Sequence, residues 1–211
     1  MADERPGGGG RHGQRRRESF AERRERRAAV DDPAVVLEAA ARFLEVRSRS
    51  VAEVRRRLTS NGYRPDLIDG AITRMTELGM LDDQAFARAW VESRDRSRPR
   101  GERAIRVELS QKGVDRVVID EVLAARRAGG LDIDDPTPPV DPDAPTVSAD
   151  RSAAERLMAK HSRSLARVAD PRQRRARAYS LLARNGFDPE TCREVAATVD
   201  DDGDPADDAE D

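Results

Sequence analysis

The chain is poor in the residues from which most active sites are built: one cysteine, two histidines and one tryptophan in 211 residues, with an aromatic share of 3%. A single cysteine, Cys192, excludes an internal disulfide framework and a cysteine-rich zinc site. His12 falls in a Gly- and Arg-rich segment and His161 is the only other histidine. There is no HExxH, no CxxC and no GxxxxGKS-type phosphate loop, and the GGGG at 7–10 has neither a strand pattern before it nor a helix pattern after it. No apolar run approaches the roughly 18 residues that a membrane helix needs. The opening MADERPGGGGRHGQRRRE lacks the apolar segment of a secretory signal. These absences predict a soluble, cytoplasmic protein with no catalytic residue, no metal ligand and no cofactor.

Charge, in contrast, is abundant, at 38% of residues, and it is segregated. The net charge of −2 divides into +4 over 1–30, +2 over 31–128, −6 over 129–150, +6 over 151–199 and −8 over 200–211. Nearly all the positive charge is arginine, since Lys112 and Lys160 are the only lysines. Residues 1–30 have no apolar periodicity and predict a disordered arm. The Pro- and Asp-rich 129–150 predicts a solvated linker, and 200–211 an acidic, disordered tail.

One corner occurs three times. LTSNGYRPDLI (58–68), LSQKGVDRVVI (109–119) and LARNGFDPETC (182–192) share leucine, glycine and apolar residues at fixed offsets. The leucines are 51 and 73 positions apart, and the 22-residue linker accounts for the difference, so the pattern is a tandem repeat. In each copy the glycine predicts a left-handed helix end closed by a Schellman pair: Leu58 with Tyr63, Leu109 with Val114, Leu182 with Phe187. Asp115 and Asp188 are placed as N-caps, and Pro65 and Pro189 in the first turn of the next helix. First helices are predicted over Ala34–Val46, Asp83–Arg94 and Ala153–Val168. The predicted fold is all-α: three-helix repeats at 31–80, 81–128 and 151–199 forming an elongated, curved helical array. Cys192 takes the place of Ile68 and Ile119 and reads as a buried apolar side chain rather than a nucleophile. Trp90 reads as core, His161 as a helix-face residue, and the Asp82–Asp83 pair as a helix cap.

The motif GMLDDQAFARAWVESR (79–94) followed by RPRGERAIRVELSQKGV (98–114) resembles the central module of the RecX family of recombination regulators. Gly79, Leu81, Asp82, Asp83, Phe86 and Ala87 match a G-x-L-D-D-x-x-F-A helix start. Gly101, Ile105, Glu108, Leu109, Lys112 and Gly113 match the helix that follows it. The arginine expected beside Ile105 is displaced to Arg103, and Val114 stands for isoleucine. The resemblance covers about 34–128 and 151–199. It implies a non-catalytic regulator that lodges in a RecA nucleoprotein filament and inhibits its growth, ATPase and recombinase activities. The alternative is a helical module that binds single- or double-stranded DNA directly through arginines on phosphates. Candidate partner-binding residues are Arg55, Arg56 and Arg57; Arg94, Arg96, Arg98, Arg100, Arg103, Arg106 and Lys112; and Arg174 and Arg175. A solvated helix face is the competing reading of the Arg55–Arg57 run. No membrane partner is expected, and the chain is expected to act as a monomer.

Overall fold

The computed structural model describes residues 18–129 and 148–199. Among them are ten helices and no strand. After α1 (Phe20–Ala28) come three triplets: α2 (Pro33–Leu44), α3 (Val51–Asn61) and α4 (Pro65–Glu77); α5 (Asp83–Ser97), α6 (Glu102–Lys112) and α7 (Arg116–Arg127); α8 (Ala149–Ala166), α9 (Pro171–Arg184) and α10 (Pro189–Thr198). Each triplet encloses its own apolar cluster, centred on Leu58, Leu109 and Leu182, all fully buried.

The repeated corners have the geometry their sequence predicts. Gly62, Gly113 and Gly186 have φ of +97°, +81° and +84°. The N–H groups of Tyr63, Val114 and Phe187 donate to the carbonyls of Leu58, Leu109 and Leu182 at 3.3, 3.1 and 3.4 Å. Each glycine N–H donates to the carbonyl three residues back, which completes the two-bond cap. Asp115 and Asp188 cap α7 and α10 through their side chains, and Pro65 and Pro189 open α4 and α10.

Consecutive units are joined by two hydrogen bonds at equivalent positions, one of them from a hydroxyl at the first junction and from a backbone N–H at the second. At the first junction the Ser50 hydroxyl donates to the Lys112 carbonyl (2.6 Å), and the Val51 N–H donates to the Asp83 carboxylate (2.9 Å). At the second, the Gly101 N–H donates to the Asn185 carbonyl (3.0 Å), and the Glu102 N–H donates to the Asp150 carboxylate (3.1 Å). Ser50 and Gly101 are equivalent in the repeat, as are Lys112 and Asn185. The start of each middle helix therefore sits on the end of the next one, while an aspartate from the first turn of the following unit satisfies an orphan N–H. Burial pushes the carboxyls of both Asp83 and Asp150 above the ordinary aspartate range.

Several sequence expectations are corrected. The arm assigned to 1–30 contains α1, stabilised by a reciprocal capping box between Ser19 and Glu22 and by Arg26 and Arg27 in its last turn. It buries no residue, so apolar periodicity did not reveal it; it rests on the end of α3, where Arg24 lies over Gly62 and the Arg27 guanidinium stands 5.8 Å from the Tyr63 ring centre. Residues 1–17 lie outside the described residues. The linker assigned to 129–150 ends earlier, because Ser148 caps α8 and Ala149 and Asp150 form its first turn; 130–147 and the tail 200–211 lie outside the described residues. Leu81, assigned to the second repeat, packs in the first core. Helix α2 stops at Leu44, leaving Val46 exposed. Trp90 is half-buried at the edge of the second core, where its indole N–H donates to Glu108 (2.8 Å); Val91 and Ala87 occupy the interior instead.

Candidate partner-binding surface

The candidate cations fall into two groups. Most are held by the protein itself. Arg55 pairs with Asp69 across to α4. Arg56 donates to the carbonyls of Lys112 (3.2 Å) and Gln111 (3.4 Å), and Arg57 stacks on Phe43, 5.5 Å from its ring centre. Arg94 bonds Glu108 at 2.6 Å and covers the Trp90 ring at 4.4 Å. Lys112 pairs with Glu53 at 3.0 Å and stands 5.0 Å from the same indole. Arg100 donates to the Asn185 side chain at 2.9 Å, joining the second unit to the third. Arg106 pairs with Asp120 and with Glu102 (3.2 Å); its bond to Asp120 raises its pKa further. Arg174 donates to the Val168 carbonyl at 3.1 Å, and Arg175 is exposed on α9.

Arg96, Arg98 and Arg103 differ. All three are exposed, and their side chains have no ion-pair, hydrogen-bond or ring partner among the described residues. Arg96 lies in the last turn of α5, Arg98 is its C-cap, and Arg103 stands in the first turn of α6. They surround a connection whose middle is pinned: Pro99 and Gly101 are buried and the Gly101 N–H is bonded to the third unit. Three unneutralised guanidiniums on and beside an anchored loop can present fork-shaped donors to an anion without first breaking an internal ion pair.

The sequence reading missed the arginine with the most polar partners. Arg126 is 3% exposed and donates two bonds of 2.9 Å to Asp95, a further bond to Asp150, and one of 3.3 Å to the Arg100 carbonyl. This cluster ties α5 and α7 to the start of α8. Burial lowers the pKa of Arg126, but two carboxylates outweigh it and the net shift is upward; at Asp150 burial outweighs Arg126 and the Glu102 N–H, and its pKa rises. A signal for it was present. Ile119, Val122, Leu123 and Arg126 form one i, i+3, i+4, i+7 stripe on α7, so the arginine occupies a core-facing position.

Known proteins match this arrangement. The model of the RecX second three-helix domain matches residues 82–123, and that of the first three-helix domain matches 37–75. The regulatory protein RecX of Mycolicibacterium vanbaalenii is 34% identical over 152 residues, covering 69% of this chain and 72% of that protein. The regulatory protein RecX of Mycobacterium ulcerans is 33% identical over 154 residues, covering 73% and 78%. The chain belongs to the RecX family. A crystal structure of RecX from Lactobacillus salivarius shares the fold, with a TM-score of 0.63 at 19% identity, over 81% of this chain and 97% of that one. In this RecX-family chain the exposed Arg96, Arg98 and Arg103 lie inside the matched second domain, whereas Arg126 and Asp150 lie beyond it. The relatives are named regulatory proteins. None of the described helices is long and apolar enough to cross a membrane, and no group of three or more His, Cys, Asp or Glu among the described residues could hold a metal ion.

Proposed function

We propose that this RecX-family chain binds the RecA nucleoprotein filament in the cytoplasm as a monomer and inhibits its growth, ATP hydrolysis and recombinase activity without catalysing a reaction. The observation that carries the reading is the trio Arg96, Arg98 and Arg103. An anchored segment of the second unit exposes three cations that the protein does not neutralise, although acids pair most of the arginines around them. Fixed, uncompensated charge favours a partner of opposite sign and costs little to reorganise on binding. Tandem units joined by repeated contacts suit a partner that is itself a repeating array.

Direct binding to DNA is the second reading, favoured by the same three guanidiniums, which suit phosphates as well as carboxylates. Changing Arg98 and Arg103 to Glu separates the two. Loss of filament inhibition with naked-DNA binding intact places the contact on the recombinase. Parallel loss of both places it on phosphate, and unchanged inhibition refutes the assignment of these arginines.

A further inference from the structure

We propose that the cleft between the first and second units is a binding site for a phosphate-type oxyanion. The cleft has a volume of about 510 Å³ and is lined by Phe43, Glu53, Arg56, Arg57, Gln111 and Lys112. That volume suits a small phosphate compound or a single phosphodiester group of a strand.

Charge balance inside the cleft points to an anion. Arg56, Arg57 and Lys112 line the cleft with one carboxylate, Glu53, and Arg47 and Arg49 stand beside it; the Glu53 oxygens are already taken, accepting from Lys112 (3.0 Å), Arg47 (3.2 Å) and the Ser50 N–H (3.3 Å). Arg57 has no acidic partner among the described residues. Arg49 stacks on Phe43 at 4.3 Å from the ring centre, and its Nε is buried without an acceptor. The Arg49 guanidinium is pulled below its ordinary pKa by burial and by Arg47, with Glu53 opposing and Arg57 adding to the fall. A dianion with several acceptor oxygens would relieve this repulsion and accept from the guanidinium forks together. The Phe43 ring carries guanidiniums at 4.3 and 5.5 Å, so its π-face is engaged by cations rather than offered to a base. Recognition here is of the phosphate.

The site does not depend on the filament reading, because it contains none of Arg96, Arg98 and Arg103. The test is calorimetric titration of the full chain at low salt with inorganic pyrophosphate, with a short oligothymidylate in a second arm and polyglutamate in a third. Variants are the pair Arg49→Gln and Arg57→Gln, with Arg193→Gln, an exposed position on α10 in the third unit, as control. The expected result is saturable one-site pyrophosphate binding, weakened at least tenfold by the pair and unaltered by Arg193→Gln. Oligothymidylate binding that the pair abolishes, without pyrophosphate binding, upholds the phosphate chemistry and assigns its source to a nucleic-acid strand. No saturable binding to either, binding that the pair leaves unchanged, or binding of polyglutamate alone overturns the proposal. Should the pair fail to fold, phenylglyoxal modification of the unaltered chain decides: the ligand should protect Arg57, and equal modification with and without it refutes the site.

Discussion

Replacing Arg126 with Ala removes the one cation that is buried among the described residues, between the second and third units. Arg126 is 3% exposed, and the carboxylates it would abandon, Asp95 and Asp150, have side chains only 24% and 17% exposed. Breaking a buried pair by removing one partner costs roughly 3–5 kcal/mol, chiefly through the charge left behind. Partial access of water to Asp95 and Asp150 places the expected loss near the lower end, about 3 kcal/mol. The loss should be local. Urea unfolding followed by circular dichroism gives the magnitude, and hydrogen exchange gives the place: amides of α8 should exchange faster while those of α2–α4 are unchanged. Combining Arg126→Met with Asp95→Asn and Asp150→Asn removes all three charges and should return much of the lost stability, since a neutral packed cluster is often no worse than a buried ion pair. A single Arg126→Ala variant that loses less than about 1 kcal/mol, or exchanges no faster in α8, would refute the view that this cluster docks the third unit.

Other consequences follow from individual positions. A Cβ at Gly101 would meet the Gly186 carbonyl and the Phe187 nitrogen at 2.3 Å, so Gly101→Ala should cost more than about 2 kcal/mol; at Gly70 in α4 a Cβ meets nothing, and Gly70→Ala should stabilise by roughly 0.5–1 kcal/mol in the same urea assay. The pKa of Glu53 is lowered: burial opposes the shift, but the Lys112 and Ser50 bonds prevail. A depressed carboxylate contributes stability that is present above its unfolded pKa and lost as pH falls through the folded value, so acid should weaken the first junction below about pH 4, and Glu53→Gln should remove that limb of the pH–stability curve. Asp150, with a raised pKa, works in the opposite direction: its contribution declines as pH rises from the unfolded value through the folded one. Cys192 is fully buried and its thiol is pushed up by burial and by Asp188, so it should resist thiol reagents in the native chain and react on unfolding.

What was legible in the sequence is what depends on near neighbours along the chain. The glycine corners, the Asp115 and Asp188 caps and the burial of Cys192 in the place of isoleucine each involve residues within a few positions, and the repeat offsets align them. Pairing across longer spans was not legible. Whether an arginine is free or spent depends on where an acid or amide 14 to 85 residues away comes to rest, as Arg94 with Glu108 and Arg100 with Asn185 demonstrate. Composition made 129–150 look uniformly solvated, yet Asp150 enters a buried cluster because capping by Ser148 starts α8 just before it. The Asp82–Asp83 pair was read correctly as caps in kind but not in target: Asp82 caps its own helix, and Asp83 caps α3. Helix α1 escaped notice because its capping box, and no apolar face, defines it.

The central claim is regulation of a recombinase filament through the second unit, and one titration tests it most directly. The chain is added to RecA assembled on single-stranded DNA with ATP, hydrolysis is followed, and naked-DNA binding is measured in parallel. The account predicts inhibition at protein concentrations well below those that coat the DNA, lost in the Arg98→Glu, Arg103→Glu variant with helicity unchanged. Hydrolysis that stays constant until the DNA is saturated, or inhibition that survives both charge reversals, would contradict it.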